Sequence, residues 1–377
     1  MRYISTRGGD ARTSAQAIVR GIAPDGGLYV PETLPVLSRD RILDLAETDY
    51  PSRAAEIPPA NAATLYVRTG GWTYGFSRTT GALASLTRNG RNLLCEPQAI
   101  DVFRVPVGGE THLFSKRPDF GRQRMMDGLR TLTPSLQTLD GPHVSDGMVK
   151  LTVTTAWKPL RKEDMPGFGT GDETEIVDLG APDSDSPGYK TTCTWTFYGG
   201  GHVRFQSSFA QTGRPTEVAR VGWRFAFDVP ETDVAWFGRG PFDNYPDRKT
   251  ACFPARWHAS SLAFAFPFGR SQDGGTREET RALRLARPGL TFATLATPFS
   301  FEVSPYSTEQ LIRISHPELL PKTDRTELGL YARVRGLGSN NCGPQPLARD
   351  RINPKETLSL DVLVGPDGPL ASRRMSN

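Results

Sequence analysis

The sequence predicts a mainly β fold, in which one large antiparallel β-sandwich follows a small α-rich N-terminal segment. Gly and Pro, 38 and 31 of the 377 residues, make up about 18% of the chain against roughly 12% in average usage, so turns are frequent. Period-two alternation of apolar residues recurs over about 300 residues, as in half-buried strands. Helical spacing is confined to the first 57 residues or so.

The N-terminal segment, residues 1–57, reads as α-leaning. Thr13 and Gln16 have the spacing of a capping box, which marks a helix N-terminus. A second helix is predicted from Ser38. Because the residue before a proline is pushed out of the α region, Ile57-Pro58 is the predicted domain boundary. Apolar residues that recur at helical intervals after Thr13 are Ala15, Ile18, Val19 and Ile22.

Residues 58–377 are predicted to form the sandwich domain. Asn89-Gly90 lies where a type I′ hairpin turn is expected, and the run from Gly199 to Gly201 joins two further strands. Antiparallel strands with turns between them favour a sandwich. The predicted strands are residues 65–67, 72–76, 83–87, 149–157, 191–198, 202–209, 219–229, 234–237, 290–296, 299–303, 328–334 and 358–364.

Composition argues against several classes of partner. The net charge is only +4 and the basic residues are scattered, so neither a nucleic acid nor a membrane surface is an expected partner. No window reaches the roughly 18 apolar residues of a membrane span. The first residues lack the apolar core of a secretory signal, and a cytoplasmic protein is expected.

Neither a metal site nor a cofactor is predicted from the residues alone. Cys95, Cys193, Cys252 and Cys342 lie far apart without a Cys-x-x-Cys pair, which favours buried thiols over a zinc site. Eight carboxylates between residues 163 and 185 lack the order of a calcium loop, so a solvated surface loop is expected there.

Two N-terminal motifs closely resemble the N-terminal lobe of threonine synthase. They are residues 1–9 (MRYISTRGG) and 21–32 (GIAPDGGLYVPE), and residues 53–57 extend the likeness. In that family a lysine of a following α/β domain holds pyridoxal phosphate as a Schiff base. Neither a glycine-rich phosphate loop leading into a helix nor such a lysine motif follows here, so threonine synthase activity is not expected.

The β region resembles the last domain of the β-galactosidases of glycoside hydrolase family 2, also called the β-galactosidase small chain. The likeness spans residues 64–366 or so and implies a galactose mutarotase-like supersandwich that meets a galactoside or another sugar. The motifs that carry it, in order, are residues 236–248 (WFGRGPFDNYPDR), 274–278 (GGTRE), 301–311 (FEVSPYSTEQL), 316–320 (HPELL) and 336–344 (GLGSNNCGP).

The resemblance implies no catalytic residue in this chain. Retaining hydrolysis needs two carboxylates about 5 to 5.5 Å apart, and in the resembling enzymes both glutamates lie on a (β/α)₈ barrel upstream. Such a barrel takes about 200 residues or more, which the 57 residues before the sandwich do not supply. Asp247, Glu278 and Glu302 lie in matching segments, but none of them corresponds to the catalytic pair.

The resemblance also implies a sugar-contacting loop at residues 336–344. Its predicted carbohydrate-binding residues are Gly338, Asn340, Asn341 and Cys342. Cys342 stands where some members carry an aromatic side chain that stacks on the sugar, and the loop is one residue shorter. Asn340 and Asn341 have amides suited to sugar hydroxyls, while the alternative is a Gly/Asn turn that tolerates positive φ.

Other matching residues are predicted to be structural. The segment from Asn244 to Arg248 is suited to a tight turn, with Asp247 orienting Arg248. The six tryptophans lie mostly within strand patterns, so we expect them in the core rather than against a sugar. These are Trp72, Trp157, Trp195, Trp223, Trp236 and Trp257.

Three functions follow as hypotheses. The first is a non-catalytic small-chain-like component that completes the active site of a β-galactosidase large chain. The second is a stand-alone enzyme resembling an aldose 1-epimerase, which needs a histidine acid and a carboxylate base. None of the five histidines lies in a recognisable mutarotase motif. The third is a fused or truncated fragment without activity.

Overall fold

The computed structural model describes residues 2–8, 11–13, 16–17, 20, 22–32, 63–107, 110, 127–159, 162–166, 174–178, 185–265, 268–314, 316–338 and 344–367. The chain divides into two compact units, Met1–Leu65 and Tyr66–Asn377. The boundary expected between Ile57 and Pro58 lies outside the described residues and stays a prediction.

The first unit is built on a three-stranded antiparallel sheet, and the expectation of an α-rich segment is not supported. Its strands are β1 (Arg2–Ser5), β2 (Arg12–Thr13) and β3 (Tyr29–Pro31), in the order β2-β1-β3. Asp25 accepts hydrogen bonds from Ser5 Oγ (2.7 Å) and Gly27 N (2.9 Å). These bonds fix the turn that brings β3 back against β1, so this stretch pairs as strands.

The predicted capping box does form in this unit. Gln16 N donates to Thr13 Oγ1 at 3.4 Å, and Thr13 N donates to Gln16 Oε1 at 3.1 Å. Residues 16, 17 and 20 are helical. The second helix, predicted from Ser38, falls outside the described residues.

The second unit is mostly strand, which confirms the mainly β prediction. One α-helix, α1 (Thr308–Arg313), is present among its described residues, with 3₁₀ turns at Ser261–Phe264, Pro317–Leu319 and Ala348–Asp350. The strands are β4 (Thr64–Thr69), β5 (Trp72–Ser77), β6 (Leu83–Arg88), β7 (Arg91–Asn92), β8 (Leu94–Asp101), β9 (Leu132–Ser145), β10 (Met148–Pro159), β11 (Lys162–Pro166), β12 (Thr174–Asp178), β13 (Gly188–Tyr198), β14 (Val203–Thr212), β15 (Arg220–Phe227), β16 (Asp233–Gly240), β17 (Phe253–Ser260), β18 (Arg277–Thr280), β19 (Ala282–Leu285), β20 (Leu290–Thr294), β21 (Phe299–Ser304), β22 (Thr326–Val334) and β23 (Leu358–Pro366).

These strands form antiparallel sheets. The largest has nine strands in the order β17-β16-β19-β20-β23-β14-β13-β10-β9, and a five-stranded sheet has the order β18-β21-β22-β15-β8. A four-stranded sheet runs β4-β5-β6-β7, and β11 pairs with β12. This last pair crosses the acidic stretch, so part of the loop expected there is strand.

Aromatic side chains fill the space between the sheets. Trp223 of β15 lies with its ring centroid 5.3 Å from Phe209 of β14 and 5.9 Å from Trp157 of β10. Trp236 of β16 and Phe301 of β21 make the same kind of contact at 5.9 Å. The nine- and five-stranded sheets therefore pack face to face, as in a β-sandwich.

Both predicted hairpin turns form. Asn89 and Gly90 have φ angles of 51° and 77°, the left-handed values that a type I′ turn requires at both central residues. The glycines from 199 to 201 connect β13 to β14. Cys193 and Cys252 are buried as expected, whereas Cys95 is exposed. Cys342 lies outside the described residues.

Candidate functional site

Two clefts flank the turn formed by residues 243–250, which we call the central turn. The loop cleft, about 760 Å³, is lined by the turn, Asp273 and the residues on either side of the predicted sugar loop. The aromatic cleft, about 750 Å³, is lined by the turn together with Trp236, Phe242, Phe264 and Arg277. Both volumes fall in the range of small-molecule sites.

A buried asparagine anchors the central turn. Asn244 N donates to Thr276 O at 2.9 Å, and Asn244 Oδ1 accepts from Glu278 N at 2.9 Å. Tyr245 and Arg248 close the turn through their backbones, with Arg248 N to Tyr245 O at 2.9 Å. The prediction of a tight turn is confirmed, and it is tied to the strand that begins at Arg277.

Asp247 has a different role from the predicted one. Its carboxylate accepts hydrogen bonds from Leu337 N (3.0 Å) and Gly338 N (2.7 Å), while Arg248 pairs with Asp243 at 3.1 Å. The expectation that Asp247 orients Arg248 is therefore wrong. Backbone N–H groups that leave the sheet after β22 need acceptors, and Asp247 supplies two of them where the predicted sugar loop begins.

Of the four predicted carbohydrate-binding residues, the structure places Gly338. It lines the loop cleft with φ 70°, and Pro344 lines the same cleft. Asn340, Asn341 and Cys342 lie outside the described residues. The predicted loop therefore begins and ends at the rim of the loop cleft.

Asp273, which lines the loop cleft, belongs to a buried charge network around Arg220 of β15. Arg220 Nε lies 3.0 Å from Asp101 Oδ2, and Nη1 lies 2.9 Å from Asp273 Oδ1 and 2.5 Å from Glu302 Oε2. Tyr331 OH donates to Asp101 at 2.9 Å. One guanidinium thus faces three carboxylates, so the network carries an excess of negative charge.

The excess of carboxylates is relieved by protonation. Burial, reinforced by the charge of Asp273, raises the pKa of Glu302 to about 8, although Arg220 opposes the shift. Burial also raises the pKa of Asp273. Glu302 therefore carries a proton at neutral pH, as expected for a buried carboxyl beside other carboxylates.

A second buried ion cluster fixes the backbone that enters the predicted sugar loop. Arg104 Nη2 lies 2.5 Å from Glu110, and Arg104 Nη1 donates to Arg335 O at 2.8 Å. Arg335 pairs with Glu110 (3.3 Å) and Glu217 (2.8 Å). Neither cluster was predicted, because the sequence around a charged residue does not tell whether its side chain is buried in an ion pair or exposed on the surface. Arg335 directly precedes the 336–344 motif, and this position is the one feature of the sequence that could have indicated its role beside the predicted sugar loop.

The prediction for the tryptophans is confirmed for five of the six. Trp72, Trp157, Trp195, Trp223 and Trp236 are at most 4% exposed. Trp257, in the edge strand β17, is half-buried and lies 5.2 Å from Phe253 between ring centroids. Trp236 also lines the aromatic cleft.

The histidines that an epimerase would need are dispersed. His143 lies 2.7 Å from Asp140 and His316 lies 3.5 Å from Glu318, all exposed. His258 lines the aromatic cleft, and His112 is outside the described residues. Over the part of the chain that the structure describes, no group of three or more His, Cys, Asp or Glu is arranged to hold a metal ion, and no helix is long and apolar enough to cross a membrane.

Comparison with known families gives two matches along the chain. The family described as β-galactosidase small chain matches residues 68–364, and the family described as threonine synthase N terminus matches residues 2–63. The first covers most of the chain and includes the central turn and both clefts. The second covers the three-stranded unit.

Individual relatives are β-galactosidases much longer than this chain. That of Klebsiella pneumoniae (strain 342) is 25% identical over 344 residues, which is 85% of this chain and 30% of the relative. That of Vibrio cholerae is 25% identical over 72% of this chain and 24% of the relative, and that of Lactococcus lactis is 26% identical over 50% and 19%. The match thus spans between 19% and 30% of the length of these three relatives.

Solved structures similar to this chain include sugar epimerases. A putative aldose 1-epimerase from Escherichia coli K12 is 12% identical, with a TM-score of 0.37, and the match covers 80% of this chain and 98% of that one. The GalM/aldose epimerase homologue from C. elegans is 11% identical over the same shares, with a TM-score of 0.38.

Proposed function

Because the chain belongs to the β-galactosidase small chain family, we propose that it is a carbohydrate-binding component that completes the active site of a barrel-bearing β-galactosidase chain. The observation that carries this proposal is the pair of hydrogen bonds that Leu337 N and Gly338 N donate to the carboxylate of Asp247. It fixes the start of the predicted sugar loop at the rim of a cleft of about 760 Å³.

In this proposal the chain contributes binding groups and the partner contributes the chemistry. Asn340 and Asn341 each offer an amide that both donates and accepts hydrogen bonds, which suits sugar hydroxyls. Cys342 takes the place of a stacking aromatic. The nucleophile and the acid/base come from the large chain, as a pair of carboxylates about 5 to 5.5 Å apart.

The rigidity of the loop's starting point is what the chain would bring to catalysis. A sugar held against fixed groups loses less entropy when it reaches the reacting geometry. Asp247 is joined to the sandwich through the central turn, which Asn244 ties to Thr276 and Glu278. The loop's first residues are therefore held, through the central turn, at the start of β18.

The test is complementation. The purified chain is mixed with the large chain of a two-chain β-galactosidase, and complex formation is followed by analytical ultracentrifugation alongside galactoside hydrolysis. We expect a complex and a gain in hydrolysis. Asp247→Ala removes the acceptors of two backbone donors. Because donors left without a partner cost free energy, we expect the gain in hydrolysis to be smaller by about tenfold or more.

The control is Asp140→Ala, because Asp140 is exposed and pairs only with exposed His143 among the described residues; it should leave the gain unchanged. Finding neither a complex nor any gain in hydrolysis would contradict the proposal. A polarimetric assay in which the chain alone speeds the α/β interconversion of galactose would favour the epimerase-like alternative instead.

A further inference from the structure

The aromatic cleft holds a buried cation that forms no ion pair with a described carboxylate. Arg277, the first residue of β18, is 5% exposed and lines the cleft. Its Nη1 donates to the carbonyls of Gly275 (3.0 Å) and Thr276 (3.3 Å). Among the described residues, its Nε has no hydrogen-bond partner and no carboxylate oxygen lies within 4 Å of the guanidinium.

The other buried arginines of the second unit form ion pairs, whereas Arg277 forms none with a described carboxylate. Arg104, Arg220 and Arg335 each form an ion pair with at least one carboxylate at 2.5 to 2.8 Å. Arg277 instead lies between two rings, with its guanidinium carbon 4.6 Å from the Phe264 centroid and 5.4 Å from that of Trp236. A buried charge without an ionic partner is costly, which indicates that something else supplies the anion.

The other charged side chains of the cleft already have partners. Lys249 pairs with Glu279 at 2.8 Å, and Arg248 pairs with Asp243 at 3.1 Å. Asp247 accepts hydrogen bonds from the amides of Leu337 and Gly338. Burial lowers the pKa of Arg277 to about 10, although the charge of Asp243 opposes the shift, so the guanidinium stays cationic at neutral pH without an ion pair to a described carboxylate.

We propose that the aromatic cleft binds an acidic saccharide, a hexuronate, whose carboxylate pairs with Arg277. The inference rests on the proposed function only in taking the ligand to be a sugar, and it places an acidic sugar in a second cleft, across the central turn from the loop cleft. Arginine and carboxylate form strong charge-assisted hydrogen bonds. Phe242, which is 66% exposed and lines the same cleft, offers an apolar surface to the sugar ring.

The experiment compares three ligands on the full chain by isothermal titration calorimetry: galacturonate, its neutral analogue galacturonamide, and galactose. We expect galacturonate to bind about tenfold or more tightly than either neutral sugar, as hydrogen bonds to a charged group imply. In Arg277→Gln, with folding verified by circular dichroism, the preference should disappear.

The matched control is Arg281→Gln. Arg281 also contacts a ring (Phe237, 5.8 Å) and a backbone carbonyl (Glu279 O, 3.1 Å), but it is exposed and lines neither cleft. The preference should survive this change. Should Arg277→Gln fail to fold, the comparison of galacturonate with galacturonamide on the unaltered chain decides alone.

Equal affinity for the three ligands, or no binding of galacturonate, would overturn the inference. So would a folded Arg277→Gln protein that keeps the preference. The complementation assay with the large chain, run in parallel, reports separately on the proposed function, so a neutral galactoside site can stand while the acidic one falls.

Discussion

At the level of single residues, the strongest charge imbalance lies around Arg220, where Asp101, Asp273 and Glu302 share one guanidinium. All four groups are buried. Such a cluster is stable only if a proton offsets part of the negative charge, because charge in a low-dielectric interior is expensive. Burial and the charge of Asp273 raise the pKa of Glu302 from 4.5 to about 8, which favours Glu302 as the group that takes up this proton.

This raised pKa predicts a specific pH dependence of stability. Between pH 4.5 and about 8 the folded chain keeps the proton on Glu302 while the unfolded chain releases it. The folded state then binds more protons, so the free energy of unfolding falls as the pH rises through that window. Glu302→Gln imitates the protonated form and should make the free energy of unfolding less dependent on pH. At pH 6 the substitution should change that free energy by no more than about 1 kcal/mol.

Urea denaturation at half-unit steps from pH 5 to 9 measures both proteins. Glu309→Gln is the control, since Glu309 is exposed and pairs with Arg130 and Arg313, and it should keep the slope of the unaltered chain. Parallel curves for Glu302→Gln and the unaltered chain would show that Glu302 does not hold the proton.

The local sequence predicted the central turn but not the hydrogen-bond partners of its Asp247. Asp247 sits beside Arg248 in the sequence, which suggested a local ion pair. In the structure its partners are the backbone amides of Leu337 and Gly338, about 90 positions further along. A contact of that sequence separation leaves no trace in local spacing, so it could not be predicted from one sequence.

At the level of elements, the pairing of β15 with β22 depends on one glycine. The register shifts between Val221 and Gly222, and a Cβ at Gly222 would lie 2.1 Å from the backbone oxygen of Leu330. Gly222→Ala must displace backbone in the middle of the five-stranded sheet. We expect a loss of about 1–3 kcal/mol or more in the free energy of unfolding, measured by urea denaturation.

Gly199→Ala is the matched substitution. A Cβ at Gly199 meets nothing within 4 Å, so the free energy of unfolding should change by less than about 0.5 kcal/mol. Equal effects of the two alanines would contradict the claim that close approach of β22 is what requires glycine at position 222.

Sequence patterns predicted the inner strands of both large sheets except β19, and missed the edges of both. The unpredicted edge strands are β9 and β17 of the nine-stranded sheet and β8 and β18 of the five-stranded one. β9 is exposed or half-exposed along its whole length and contains Gly141-Pro142. Because β9 has no fully buried residue, the apolar alternation that reveals β10 or β13 is weak in it.

At the scale of the whole molecule, two units coincide with two family matches. The structural division at residues 65 and 66 falls between the threonine synthase match, which ends at residue 63, and the small-chain match, which begins at residue 68. The sequence separated these halves by their periodicity. Among the described residues of the first half, the expected α-rich character is not supported; its strands β1 and β2 were not predicted, because strands of two to four residues are too short to display an alternation.

The predicted boundary between Ile57 and Pro58 gives a test of how far the second unit stands alone. Every described strand from β4 to β23 lies after residue 57, and none of the sheets they form includes β1, β2 or β3. A domain that contains its own core is able to fold alone. Cleavage at a site-specific protease sequence inserted between the two residues should therefore release a fragment whose thermal midpoint stays within about 2 °C of that of the uncleaved protein.

The uncleaved insertion protein is the reference for differential scanning calorimetry. A drop of more than about 5 °C on cleavage, which for a unit of this size exceeds 1 kcal/mol, would mean that residues 1–57 contribute to the stability of the sandwich.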